Sequence, residues 1–176
     1  MTKASFAITI LYIEFEHGEI FSCSKLLEGD VLFLEKLLIS ACLMGIHCRY
    51  NGERKAIPEI DALMKKYDLI PVCPEQLGGL KTPREPSEIS GEKVLTKSGS
   101  DVTAEYIRGA EETLRLGKLL GAKKALLKAK SPSCGSGTIH DGSFSGKLKD
   151  GYGITAKLLS ENGFEIYDET KAGDLL

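Results

Sequence analysis

The 176-residue chain lacks an excess of either charge: 23 Lys and Arg stand against 25 Asp and Glu, a net of −2 at pH 7. A nucleic-acid backbone therefore has no electrostatic reason to bind, so no long nucleic-acid partner is expected. A single base or nucleotide needs only a local pocket and is not excluded. Long hydrophobic runs are lacking too. The longest one near the start, Phe6 to Ile13, is far short of the roughly 20 residues a membrane-spanning helix needs. No signal peptide, internal repeat or low-complexity tract is present, and a cytoplasmic protein is expected. Nor do the five cysteines form a secreted disulfide framework, being odd in number and widely spaced. Cys42 and Cys48 lie too far apart for the short C-x₂-C knuckle of a zinc ribbon. What is left is an ordinary globular composition, 42% hydrophobic and 27% charged, long enough for one domain with a real core.

Against this plain background three short apolar runs stand out, each delivering a cysteine at its end. Leu37 to Ala41 runs into Cys42, Leu69 to Val72 into Cys73, and Ala125 to Ala129 into the loop Lys130-Ser131-Pro132-Ser133-Cys134-Gly135-Ser136-Gly137. Apolar runs bounded by Gly, Pro and Ser read as buried strands leaving a sheet. Helical segments fall between them. Pro58 suits a first helical turn, and the spacing of Ile60, Leu63, Met64 and Tyr67 predicts a helix to about Tyr67 with Met64 in the core. Asp101 is placed to cap a helix running to Leu120, with Tyr106, Ile107, Ala110, Leu114, Gly117 and Leu120 on its inner face and Gly121 stopping it. A last helix, Gly153 to Asn162, precedes a last strand, Phe164 to Tyr167. Alternating strands and helices predict an α/β fold: a single Rossmann-like domain, its mainly parallel sheet flanked by helices.

Other segments are less regular. Pro71 would break a central strand unless it sits at an edge or a bulge, so the second run is expected to be short or terminal. From Pro74 to Pro86, prolines and the Gly78-Gly79 pair predict a shaped loop without a regular element, and such loops tend to be functional. Gly91 to Lys97 reads as an extended edge piece, and Thr138 to Gly146 as a turn or flap. His47 reads as a loop histidine. His140-Asp141 is an acid–base pair or simply loop polarity. Residues 1–36 read as an N-terminal extension with a hairpin signal around Glu16-His17-Gly18, either a real extension or translated upstream sequence; the domain proper is 37–176. Cys23, flanked by serines, has no strand-end setting and reads as an ordinary thiol.

Parallel strands joined by helical crossovers bring their C-terminal ends to one edge, where α/β sheets bind ligands. Cys42, Cys73 and Cys134 are expected to converge there. Three converging thiolates suit either a zinc site with an open fourth position or a [4Fe–4S] cluster with one iron free. Free cysteines are the plain alternative. Gly78-Gly79 and Gly135-x-Gly137 favour the cluster, because glycine lets backbone approach a bulky cofactor. Glu75, two residues past Cys73, is the carboxylate best placed to act on whatever the thiols hold. Arg49 and Asn51 could hold an anion or amide-like ligand.

These same residues carry a resemblance. Ser40-Ala41-Cys42-Leu43-Met44-Gly45 with Cys48-Arg49-Tyr50-Asn51-Gly52, then Pro71-Val72-Cys73-Pro74-Glu75-x-Leu77-Gly78-Gly79-Leu80 with Thr82-Pro83-Arg84, and Ser131-Pro132-Ser133-Cys134-Gly135 are similar, in order, to the motifs of the DUF523 family. The match runs from about residue 37 to 168, and its characterised members are thiouracil desulfidases. The resemblance implies a [4Fe–4S] cluster on Cys42, Cys73 and Cys134, a catalytic acid/base at Glu75, and a role for one serine, Ser131 or Ser133. It implies a thiolated base or nucleoside as partner, turned to uracil-like product and sulfide. Arg49, Asn51 and Arg84 would orient the pyrimidine. A cluster-binding sulfur carrier and a Cys₃ zinc hydrolase are the competing expectations. Residues 1–36 have no counterpart in the motifs, Cys48 has no assigned role, and the sequence leaves the oligomeric state unknown.

Overall fold

The computed structural model describes residues 34–176, so the expected N-terminal hairpin and Cys23 lie outside the described residues. In chain order the elements are strand β1 (Glu35–Ser40), a 3₁₀ turn (Ala41–Met44), helix α1 (Ile60–Lys66), β2 (Tyr67–Val72), α2 (Pro74–Leu77), β3 (Ser87–Ser90), β4 (Lys93–Thr96), α3 (Thr103–Leu120), β5 (Lys124–Leu127), β6 (Thr138–His140), β7 (Leu148–Asp150), α4 (Ile154–Glu161), β8 (Glu165–Asp168) and a closing 3₁₀ segment (Glu169–Leu175).

Four strands form the main sheet in the order β2-β1-β5-β8, all neighbours parallel. The chain thus steps outward from β1 to β2, then crosses back to put β5 on the other side of β1. That reversal opens a crevice at the carboxyl ends of β1 and β5, the place where open α/β sheets take ligands. Side chains alternate across the pleat. Leu37 and Ile39 point to one face with Leu43, Leu63, Tyr67 and the C-terminal Ala172 and Leu175. Leu38, Ala125 and Leu127 point to the other, with Ala156, Leu159 and Phe164. Each face is covered, which is why these strands read as near-continuous apolar runs. Pro71 sits on the edge strand β2, where a missing N–H does no harm.

Several expectations need correction. The first strand starts at Glu35, so residues 35 and 36 belong to the sheet rather than to an extension. Tyr67 opens β2 instead of closing α1, and α1 buries Leu63 while Met64 is 55% exposed. The short helix turns Leu63 and the half-buried Ile60 toward the core, and Met64 falls on its outer side. On α3 the buried stripe is Tyr106, Gly109, Ala110, Thr113 and Gly117, and Ile107 is turned outward. Asp101 does accept from Thr103 N at 3.1 Å, but one residue ahead of the position expected for a cap. The stretch after Cys73 is not wholly irregular, since Pro74 at the first position starts the short α2. The edge piece and the flap are both antiparallel pairs, β3–β4 and β6–β7. Their strands are short and polar, so periodicity could not find them.

Gly78 and Gly109 explain each other. A Cβ on Gly109 would lie 1.9 Å from Pro74 O, and one on Gly78 would lie 2.0 Å from Glu105 O. The α2 turn and α3 therefore cross backbone to backbone, and Gly78 serves that crossing rather than a cofactor. Gly109→Ala is expected to cost about 2 kcal/mol by forcing these backbones apart, read as a lowered urea midpoint. Because the shift displaces the turn carrying Glu75, activity should fall with it.

Candidate functional site

A cavity of about 410 Å³ opens at the carboxyl edge of the main sheet, lined by Cys42, Cys48, Cys73 and Cys134 together with Glu75, Arg84, Tyr106, Ser131, Glu88 and His140, among others. Each thiol arrives by a different local device. Cys42 lies in the 3₁₀ turn that follows β1, which Gly45 ends at φ 93°, a left-handed conformation glycine adopts freely. Cys73 is the residue immediately ahead of α2, its carbonyl accepting from Leu77 N at 2.9 Å. Cys134 sits on a tight turn after β5. Lys130 enters this turn at φ 64°, a conformation an L side chain adopts only under constraint. The hydroxyl oxygen of Ser131 then accepts from both Ser133 N and Cys134 N at 3.1 Å, and Gly135 N donates to Ser131 O at 2.9 Å. The first N–H groups of α4 are satisfied by the same turn: Ile154 N donates to Pro132 O and Thr155 N to Ser133 O. Gly153 permits that approach, since a Cβ there would stand 2.4 Å from Ser133 O.

Cys48 lies beside both Cys42 and Cys73, and Cys73 Sγ donates to its carbonyl oxygen at 3.7 Å. The contact with Cys42 is the chief reason its pKa is pushed up to about 11. Cys73 is raised further, first by its contact with Cys48 and then by burial. Burial pushes Cys134 up to about 12. These thiols hold their protons near neutrality unless a cation replaces them. Among the described residues, no three His, Cys, Asp or Glu side chains are close enough together to grip a single metal ion. Zinc–sulfur bonds of about 2.3 Å require thiolates roughly 4 Å apart. Cys42, Cys73 and Cys134 nonetheless line one cavity, and soft thiolate donors suit a sulfur-ligated group.

Glu75 and Arg84 form a buried ion pair, their side chains 14% and 9% exposed. The guanidinium contacts Glu75 Oε2 through Nε at 2.7 Å and Nη2 at 2.6 Å. Both contacts fall on one oxygen, leaving Oε1 without a guanidinium partner. Arg84 also donates to Cys48 O at 3.1 Å and Lys81 O at 3.0 Å, tying the loop after β1 to the loop after β2. The carboxylate beside it raises the Arg84 pKa, although burial opposes this. Tyr106 on α3 comes against the same pair, its hydroxyl beside Glu75 and Ser87, and burial foremost raises its pKa well above the usual phenol range. Arg84→Met would strand the Glu75 charge in this wall, and an orphaned buried charge costs about 3 kcal/mol. The expected result is a clear fall in thermal midpoint at pH 7, and the double variant Arg84→Met/Glu75→Gln should recover most of it.

The expected site residues separate accordingly. Cys42, Cys73, Cys134, Glu75, Arg84, Arg49 and Ser131 all line the cavity. Arg49 lies at its edge, 3.3 Å from Glu53. Arg84 is there as the partner of Glu75 rather than as a free cation. Ser133 is fully buried and bonded to Thr155 Oγ1 at 2.9 Å, so of the two motif serines only Ser131 faces the cavity. Asn51 is outside it: the side chain is exposed, and its oxygen accepts from Glu53 N at 3.1 Å to close a turn. A turn Asn spends its amide locally. His47 is likewise held within its loop, Nδ1 lying 2.9 Å from Gly52 O. Asp141 caps the following turn through Ser143, so it does not pair with His140. Sequence reasoning assigned Tyr106 to the core and gave Glu88 no role, because a wall built from an edge hairpin and a helix leaves no local pattern.

A family model described as 2-thiouracil desulfurase matches residues 37–171. The protein YbbK of Bacillus subtilis (strain 168), itself uncharacterised, is 45% identical over 150 residues, covering 80% of this chain and 99% of its own. The solved structure of a [4Fe-4S]-dependent thiouracil desulfidase, TudS (DUF523Vcz), is 47% identical, with a TM-score of 0.77 over 80% of this chain and 95% of its own.

Proposed function

The chain belongs to the 2-thiouracil desulfurase family, and from that premise we propose that it hydrolyses the C=S bond of a 2-thiouracil-like pyrimidine, giving the uracil-like carbonyl and hydrosulfide without net redox change. The observation that carries this reading is that Cys42, Cys73 and Cys134 line one cavity with Glu75. Those three thiols would hold a [4Fe–4S] cluster, in keeping with the cofactor in the name of the solved relative. When bound, the cluster supplies a soft, Lewis-acidic iron for the thiocarbonyl sulfur. The domain beginning with β1 at Glu35 would carry the activity, in the cytoplasm, with the residues before it as an extension.

The chain's own groups do the rest. Arg84 fixes Glu75 through Oε2, so Oε1 is the oxygen that takes a proton from water as that water attacks C2 of the pyrimidine. A carboxylate held at one oxygen is pre-aimed at the other. The proton taken then serves the departing sulfur, so that water and the thiocarbonyl give the carbonyl and hydrogen sulfide. The Ser131 oxygen already accepts two N–H bonds, which leaves its own O–H to donate into the cavity.

The test is anaerobic purification of the full chain, with iron and sulfide analysis and incubation with 2-thiouracil. A brown protein with about four irons per chain that releases sulfide and uracil in equal amounts is expected. A colourless protein with one zinc, or a brown one that passes sulfur to an acceptor without forming uracil, would overturn the reading.

A further inference from the structure

One polar atom in the cavity wall has no partner. His140 Nδ1 is buried and makes no hydrogen bond, the only such side-chain nitrogen or oxygen among the described residues. A buried unpaired nitrogen is costly enough to call for an explanation. The carboxylate oxygen Glu88 Oε1 lies 3.9 Å away, and both residues line the cavity. Glu88 is not free to swing. Its other oxygen, Oε2, accepts from Gly142 N and Phe144 N, each at 2.9 Å, and only a tenth of the side chain is exposed. Lys149 Nζ adds bonds to Ile89 O and Asp141 O, so the β6–β7 hairpin is latched onto β3–β4. The carboxylate is thus a fixed negative group facing Nδ1. A nitrogen lone pair aimed at a carboxylate is repelled, whereas an N–H is attracted, and a small ring rotation would close the gap. The side chain as a whole is 38% exposed, which leaves the other edge of the ring open to the space it lines.

We infer that His140, oriented by Glu88, is a positioning residue for the thiolated base: Nδ1–H faces the carboxylate, and the Nε2 lone pair accepts from a ring N–H beside the thiocarbonyl. This deepens the desulfidase reading and rests on it for the identity of the substrate. The ring nitrogens N1–H and N3–H flank C2 of a 2-thiopyrimidine, so a base with its sulfur toward the thiol wall presents an N–H sideways. His140 belongs to a hairpin separate from the cysteine-bearing strands, which suits it to grip that flank. The site therefore selects thiocarbonyls carrying an adjacent N–H and disfavours their N-alkylated forms.

The experiment uses the full chain and two readouts. Long-range proton–nitrogen spectra above the imidazole titration range report tautomers; the sequence has three histidines, and loss of one set in His140→Phe assigns it. Wild type is expected to show His140 as the Nδ1–H tautomer. In Glu88→Gln the amide oxygen keeps the two turn N–H groups and the NH₂ faces Nδ1, so His140 should switch to Nε2–H. With 2-thiouracil as the probe, His140→Phe should raise KM about five- to tenfold, the loss of one neutral hydrogen bond, with kcat within about threefold. Glu88→Gln should do the same although the imidazole is still present. His140→Gln, which offers an acceptor oxygen, should restore part of the loss. Preference for 2-thiouracil over its N-methylated forms should shrink in His140→Phe. An Nε2–H tautomer in wild type, or an unchanged KM in both Phe and Glu88→Gln variants, overturns the assignment. The tautomer measurement needs no turnover, so absence of sulfide release by wild type, which would sink the desulfidase reading, is distinguishable from failure of the dyad.

Discussion

Replacing Cys42, Cys73 or Cys134 singly by serine is expected to leave a folded, colourless protein with iron content near zero and no detectable sulfide release, while Cys48→Ser keeps its iron. The expectation follows from the state of the thiols. Contact with Cys48 and then burial raise Cys73, and burial raises Cys134, so each holds its proton until a bound cation compensates the thiolate. Binding through three ligands is cooperative in effect. Removing one leaves two buried thiols to be deprotonated for fewer bonds, and the balance tips to the protonated, empty site. Loading of the wild type should therefore improve as pH rises from 6 to 8.5, because the displaced protons are released at lower proton activity. Iron analysis after anaerobic reconstitution across that range checks both statements. A bound group also stabilises the state that binds it. The difference in thermal midpoint between reconstituted and metal-free protein should accordingly be present in wild type and Cys48→Ser and absent in the other three. If Cys48→Ser loses its iron while Cys42→Ser retains it, the ligand set is wrong.

The sheet and its thiols were legible because burial on both faces leaves a strong mark: Leu37-Leu38-Ile39 and Ala125-Leu126-Leu127 are apolar runs that end in turn chemistry. The site floor follows from these runs, since parallel topology brings their ends together. The walls do not. Arg84 looked like a ligand-binding cation, and only the three-dimensional path of the loop after β2 turns it onto Glu75. Ser131 and Ser133 are indistinguishable in a Ser-Pro-Ser-Cys motif, yet Thr155, far along the chain on α4, takes the second of them out of the cavity. Gly78 suggested room for a cofactor, whereas its lack of a Cβ serves the crossing with Gly109. Glu88 and His140 sit on hairpins too short and polar to show a period. In each case the missing information is a contact between residues distant in sequence, which local spacing does not encode. Asn51 is the opposite case: its own turn chemistry keeps it out of the site, and an Asn-Gly pair is itself a local turn signal.

Glu75→Gln is the substitution expected to separate chemistry from binding most cleanly. The amide is nearly isosteric, and its oxygen can still accept from Arg84 at the Oε2 position, so the wall should keep its shape. The variant should bind iron as wild type does and retain the visible colour. What it loses is the basic oxygen at Oε1. General-base contributions of this kind are worth about 10² to 10⁴ in rate, and sulfide release should fall by that factor at saturating 2-thiouracil, with KM changed little. A fall in kcat at constant KM marks an interaction made in the transition state rather than on binding. The neutral amide also leaves the Arg84 charge unpaired in the wall, so a drop in thermal midpoint is expected alongside. That drop is why Arg84→Met/Glu75→Gln belongs in the same series: the pair of changes should regain stability and remain inactive. Recovery of activity with recovery of stability would mean that Glu75 holds Arg84 in place and does no proton chemistry. Continued inactivity in a stable, iron-loaded protein would leave proton transfer at Oε1 as its role.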